Sequence, residues 1–359
     1  MFDFVASQDD PDEYRAGDES IDAVKHKVEL MTKHCRAYSL PHARKAVIQL
    51  ANTLIPFFAV LGAMLAFYDK AYWLTLVLTP LAAGLLVRLF IIQHDCGHGS
   101  FLKGRKWNNR IGRFLSILTW TPYDLWRKTH NLHHAGSGNL DARGYGAIET
   151  LTVEEYKNLS KYHKIMYRLY RNPVVMLVFG TPLFILLAQR IPVTKPFPFS
   201  PCKKEITTTN IWKSVVGLNL VLLVIYGAAA YIIGIHLLII YMPVVVCTAW
   251  IGGWLFYIQH QFEDAHWDYA HEWSYHEAAV LGSSYYDLPA PLQWLTGNIG
   301  LHHIHHLNAK VPNYHLQECL DASSDLKTLN RITFRESLKL TKLALWDEQQ
   351  RKMVPFSKI

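Results

Sequence analysis

The chain has 359 residues; half are hydrophobic and only 18% are charged. Soluble domains average about 25% charged residues, so this composition points away from an ordinary soluble protein. The formal charge is +7 with no long basic run, which excludes a nucleic-acid-binding tail of the usual kind.

Residues 1–20 are acidic and polar and read as a flexible tail without a signal peptide. A basic stretch from Lys25 to Lys45 follows, broken by Pro41. Together they make a polar N-terminal region, 1–45. Ala46–Tyr68 is apolar and long enough to cross about 30 Å of hydrocarbon. Asp69 and Lys70 turn the chain, and Tyr72–Ile92 runs back, with Arg88 close enough to its end to snorkel. His94 and His98 follow. Phe114–Pro122 is apolar but too short to span, so it is expected in the membrane interface, with His130, His133 and His134 after it. Gly136–Gly146 is a glycine-rich loop lacking the Lys-Ser/Thr ending of a phosphate-binding loop. Val153–Arg171 reads as an amphipathic helix. Val174–Ala188, interrupted by Gly180 and Pro182, reads as a second interfacial segment, and Ile191–Pro201 as a proline-rich connector. Ile211–Ile258 is too long for one span and breaks best at Gly234–His236. Beyond Gln259 the chain is polar and histidine-rich, carries His302, His305 and His306, and is expected to end, over 321–359, in a basic helical tail. The cysteines Cys35, Cys96, Cys202, Cys247 and Cys319 are scattered singly, so no zinc ribbon or disulfide framework is expected.

The expected fold is an all-α integral membrane protein. Its membrane domain, 46–320, has four transmembrane helices, 46–68, 72–92, 211–233 and 237–258, in two hairpins beneath a helical cap. Three histidine clusters that meet at one site must lie on one side of the membrane. The number of crossings between His134 and His302 is then even, so 174–188 does not cross. Lys and Arg are dense before Ala46, between Lys103 and Lys213 and after Lys310, whereas the two far-side loops hold only Lys70. The positive-inside rule then puts both termini and the histidines in the cytoplasm.

The spacings are H-x-x-x-H at His94 and His98, and H-x-x-H-H at His130, His133, His134 and again at His302, His305, His306. Residues three and four apart share a helix face, so each cluster is expected to aim its imidazoles at one point. A lone histidine is ordinarily a surface or core residue; three clusters at helical spacing point to metal. Eight histidines exceed the three or so protein ligands of a catalytic zinc, and suit a pair of redox-active ions, with iron the best candidate. His260 follows the fourth span's end by two residues, as His94 follows the second's, and is expected as a ninth ligand. His266, close by, serves as its control. His163, His271, His276 and His315 are expected at the surface. Asp95, Glu263 and Asp264 are candidates to orient ligand imidazoles. Trp120, Trp126, Trp250, Trp254 and Trp267 are read as interfacial anchors or as an acyl-tunnel lining. An apolar domain beside the site suggests a lipid chain as substrate, since each buried CH₂ contributes about 0.8 kcal/mol. Desaturation and hydroxylation both remain open on this chemistry.

Three other readings fit less well. His94-Asp95-Cys96-Gly97-His98 approximates the H-E-x-x-H of a zinc protease, with Asp in place of the Glu base. A transporter would carry its ligands near the bilayer midplane. A carboxylate-bridged metal pair needs two Glu-x-x-His motifs, and only Glu263 to His266 fits.

The order of the three boxes resembles the membrane fatty-acid desaturases. His94-Asp95-Cys96-Gly97-His98-Gly99, Gly138-Asn139-Leu140-Asp141, Gln259-His260-Gln261-Phe262-Glu263-Asp264 and Gly297-Asn298-Ile299-Gly300-Leu301-His302-His303 are similar to bacterial acyl-lipid desaturases of the Δ5 and Δ12 kinds, over roughly residues 40 to 320. The resemblance implies a non-haem diiron centre, dioxygen as co-substrate and a lipid-linked acyl substrate. It also implies an external electron donor, ferredoxin or cytochrome b5 with its reductase. No His-Pro-Gly-Gly haem motif occurs, so no fused cytochrome b5 domain is expected. The implied reaction leaves a cis double bond, at a bacterial inner membrane. A hydroxylase, ketolase or conjugase on the same scaffold is the alternative.

Overall fold

The computed structural model describes residues 21–144, 146–192 and 206–359; the acidic tail, most of the proline-rich connector and Cys202 lie outside them. Helix α1 (Ile21–Arg36) precedes α2 (Ala43–Phe67) and α3 (Tyr72–His98). Later come α9 (Thr209–Ile233) and α10 (His236–His260), with α4 to α8 between, as given below. Helices α2, α3, α9 and α10 are each long and apolar enough to cross a membrane. Their breaks fall where the apolar runs stop, at Tyr68–Ala71 and at Gly234, whose φ of 69° suits glycine.

Two helices run further than expected. No proline stands between Ile92 and Gly99, and the helix carries Gly97 within it, so α3 continues through His98 and stops where Gly99 turns left-handed at φ 69°. Likewise α10 continues through His260. These histidines therefore ride on the last turns of long helices instead of following them.

Phe57, Leu61 and Met64 of α2, Leu86 and Leu89 of α3, and Tyr241, Val244 and Val245 of α10 form one core. Helix α9 keeps most of its aliphatic side chains exposed, among them Leu223, Val224 and Ile232. Such an apolar exterior is stable only where something apolar covers it. Arg88 is buried in α3, where its Nε donates to Thr53 Oγ1 at 3.1 Å and its guanidinium lies 4.1 Å from the Trp294 ring.

The cap starts with α4 (Arg105–Thr119) and α5 (Tyr123–Gly136), both packed on α3. The segment 114–122 is thus not a unit: it is the end of α4, a left-handed Trp120, and the turn into α5. The expected helix Val153–Arg171 is two, α6 (Val153–Asn158) and α7 (Lys161–Tyr170), because Ser160 caps α7 with its side chain. The segment 174–188 winds as a wide turn at Val174–Gly180 and then α8 (Thr181–Leu186).

Two expectations need correction. The chain is mostly helical but not all-α, and its C-terminus is not a helical tail. Strand β1 (Leu151–Thr152) pairs in parallel with β4 (Leu343–Asp347), which pairs antiparallel with β5 (Lys352–Pro355). A second sheet joins β2 (Tyr285–Asp287) to β3 (Arg331–Thr333). Burial explains both: Leu345, Trp346, Met353 and Val354 are all covered, which strands pinned to the cap achieve and a solvated helix would not. The remaining short helices are α11 (Tyr275–Leu281), α12 (Ala290–Leu295), α13 (His302–Leu307), α14 (Asn313–Asp321), α15 (Ser324–Thr328) and α16 (Phe334–Leu340).

Candidate metal centre

The ends of α3 and α10 meet α5 and α13, and with them nine buried histidines. Their ring nitrogens form two groups. His94, His98, His130, His134 and His305 make the first; His133, His260, His302 and His306 make the second. Within each group the candidate ligand atoms all lie within 4.8 Å of one another.

Each H-x-x-H-H cluster was expected to aim at one point, and each is instead divided. At about 100° per residue, i+4 lies about 40° to one side of i and i+3 about 60° to the other. On α5, His130 and His134 therefore share the first group while His133 turns to the second. On α13, His302 and His306 share the second group while His305 turns to the first. This spacing lets one helix feed two sites at once. Helix α3 feeds only the first and α10 only the second.

His134 Nε2 stands 3.1 Å from His130 Nε2 and 2.9 Å from His305 Nε2. His260 Nε2 stands 3.1 Å from His133 Nε2 and 3.0 Å from His302 Nε2. With metal–nitrogen bonds of about 2.1 Å, neighbouring nitrogens are about 3.0 Å apart at a right angle and about 3.4 Å apart at the tetrahedral angle. The observed separations are of the size that nitrogens sharing one ion would show. His94 Nε2, His98 Nε2 and His306 Nε2 are buried without a hydrogen-bond partner, a cost that a bound cation would remove. Burial first, and then the neighbouring imidazoles, hold His130, His133, His134, His302, His305 and His306 well below the usual histidine range. They are neutral, the form that binds metal. The residues present fit a pair of transition-metal ions.

Outer contacts aim the rings. Asp95 Oδ1 accepts from His94 Nδ1 at 3.0 Å. The other oxygen of Asp95 accepts from the Asn313 backbone N–H at 2.7 Å and from its Nδ2 at 2.8 Å. Asn313 Oδ1 in turn accepts from Gln49 Nε2 at 2.5 Å. A polar chain thus runs from α2 through α14 to a ring of the first group. The Gly282 carbonyl accepts from His260 Nδ1 at 3.1 Å. Both acceptors fix the tautomer that leaves an Nε2 lone pair facing its group. Trp126 stacks on His130 at 4.5 Å, and Phe256 packs against His133 and His260.

Other candidates fall outside. His266 faces Asp268 at 2.5 Å, and His303 donates through Nε2 to the Leu326 carbonyl at 2.9 Å. His163, His271 and His276 are exposed; His315 is half-buried and pairs with Glu318. Glu263 and Asp264 face Lys352 at the surface, so of the three candidate carboxylates only Asp95 touches a clustered histidine. Trp250 is exposed, Trp254 bonds Tyr286, and Trp120 and Trp267 are buried. Asn313, Gln49 and Gly282 escaped sequence reasoning; no spacing rule joins them to histidines on other elements.

Comparison with known proteins agrees with this geometry. Residues 71–333 match the family described as fatty acid desaturase. A fatty acid desaturase of Bacillus subtilis is 42% identical over 337 residues, covering 94% of this chain and 93% of the relative. The temperature-sensitive sn-2 acyl-lipid omega-3 desaturase (ferredoxin) of Arabidopsis thaliana is 30% identical, covering 73% of this chain and 59% of the relative. A Delta(9) fatty acid conjugase-like enzyme of Dimorphotheca sinuata is 27% identical, covering 70% and 69%. The chain therefore belongs to the fatty acid desaturase family, as an oxidoreductase of lipid metabolism.

Proposed function

We propose that this desaturase holds two non-haem iron ions, one in each histidine group, and inserts a cis double bond into a lipid-linked acyl chain using dioxygen and two electrons. The observation that carries the proposal is the division of nine buried, inward-facing histidines into groups of five and four. A bound pair of such ions supplies the oxygen activation that an unactivated C–H bond requires. The chain supplies the rest. Asp95 and the Gly282 carbonyl hold His94 and His260 in the ligating tautomer. Burial keeps the surrounding rings neutral and keeps bulk water from the site. Trp126 and Phe256 add apolar walls beside the rings.

The proposed topology is four spans in two hairpins, with the cap and both termini cytoplasmic at a bacterial inner membrane. A bent pair, Lys161–Tyr170 with Val174–Arg190, also passes by length and composition. A crossing there would make three between His134 and His302, yet their two groups adjoin, with His134 stacked on His306 at 4.2 Å, so parity favours four spans. An external carrier, ferredoxin or cytochrome b5 with its reductase, would deliver the electrons; ferredoxin stands in the name of the Arabidopsis relative.

The test is expression in a host lacking the corresponding unsaturated acids, followed by mass spectrometry of its membrane lipids. A new cis double bond is expected, and its position gives the regiospecificity. A hydroxy or conjugated acid as main product would move the enzyme to a different reaction. Metal analysis of the purified protein should find two irons; one zinc and no iron would overturn the diiron centre.

A further inference from the structure

None of the nine histidines lines a cleft on the flank of the helical bundle. It has a volume of about 440 Å³ and lies between α4, α5 and α9. One end carries Arg113, Arg127 and Lys213; the other carries Ile117, Gly217 and Val221. Asp124 is the single carboxylate among the lining residues, and it is engaged by Arg113 at 3.1 Å and by Arg127 at 3.3 Å. Lys213 has no ion pair or hydrogen bond among the described residues. Three cations against one carboxylate leave the polar end positive.

The gradient runs along a span. Lys213 is in the second turn of α9, and Val221 lies eight residues on, about 12 Å deeper at 1.5 Å per residue. Between them, a Cβ added at Gly217 would meet no atom within 4 Å, so the cleft is open at that level. We infer that the cleft binds an anionic glycerophospholipid. Its phosphate sits among Lys213, Arg113 and Arg127, and one acyl chain lies along Ile117, Gly217 and Val221. A free anion would use only the upper part, and a neutral amphiphile would leave the charge unanswered. The inference goes beyond the reaction and needs neither metal nor turnover.

The test is native mass spectrometry of the full-length protein in neutral detergent, titrated with phosphatidylglycerol, phosphatidylcholine or inorganic phosphate. Phosphatidylglycerol should bind about tenfold tighter than phosphatidylcholine, and Lys213→Glu should remove that preference. Gly217→Leu should weaken both lipids by filling the chain's path, with Gly217→Ala as the milder variant should the larger one misfold. Wild-type metal content and thermal midpoint check each variant's fold. Equal affinity for the two lipids, an unchanged Lys213→Glu protein, or phosphate alone binding as well as the lipid would overturn the inference.

Discussion

His260 and His266 lie six residues apart, and their surroundings separate them. The Gly282 carbonyl turns the lone pair of His260 toward His133 and His302, whereas His266 is spent on Asp268. His260→Ala is expected to lose metal and turnover together, and His266→Ala to keep most of both, read by metal analysis beside product formation. A His260→Ala protein with full metal content would remove His260 from the ligand set. Asn313 acts one step out, through Asp95. Asn313→Ala should lower metal affinity or activity by about 10- to 100-fold, the usual effect of removing an outer partner, and Gln49→Leu by less; chelator competition reads it. Glu149 carries a pH effect unrelated to metal. Burial pushes its carboxyl up to about 7, against the pull of Arg143 and Arg171. Between roughly pH 4.5 and 7 the folded protein therefore holds a proton that the unfolded chain has lost. The contribution of this group to stability is fully present below the window and is lost as pH rises through it. Glu149→Gln should flatten that fall in the thermal midpoint.

At the scale of elements, legibility followed range. The four long helices could be read because each is a local run of apolar residues ended by its own turn, and the boxes because three- and four-residue spacings are local too. The small sheets could not be read. Strand β1 is two residues long, and its partner β4 lies far along the chain. The division of each H-x-x-H-H also escaped, although it follows from helix geometry, because the direction of the second site is set by neighbouring helices. The sheet gives a prediction. Trp346 is buried where β4 pairs with β1, so Trp346→Ala should cost about 3–5 kcal/mol and lower the thermal midpoint. The fraction that stays folded should keep its metal, because no histidine of either group lies on that sheet.

For the whole molecule, the proposed topology assigns each surface to one side of the membrane. Single cysteines at Lys70 and Ile235, in a background lacking the five native ones, should react with an impermeant reagent only from the non-cytoplasmic side. A cysteine at Ile191, exposed just past the bent pair, should react only from the side of the histidines. Its labelling from the Lys70 side would make the bent pair a fifth crossing and break the parity on which the topology rests.

Because α5 and α13 each serve both groups, neither of two ions bound as proposed would be held independently. His133 and His134 are joined by one peptide bond yet belong to different groups, so fixing one ring fixes the backbone of the other. We expect loading to be cooperative: the first ion orders two helices that the second then finds in place. Ion–ion repulsion acts the other way. Native mass spectrometry during iron titration reads the balance. At half saturation, more empty and doubly loaded protein than the 1:2:1 of two equal independent sites would mark shared ordering, and a surplus of singly loaded protein would show that unequal affinities or repulsion outweigh it.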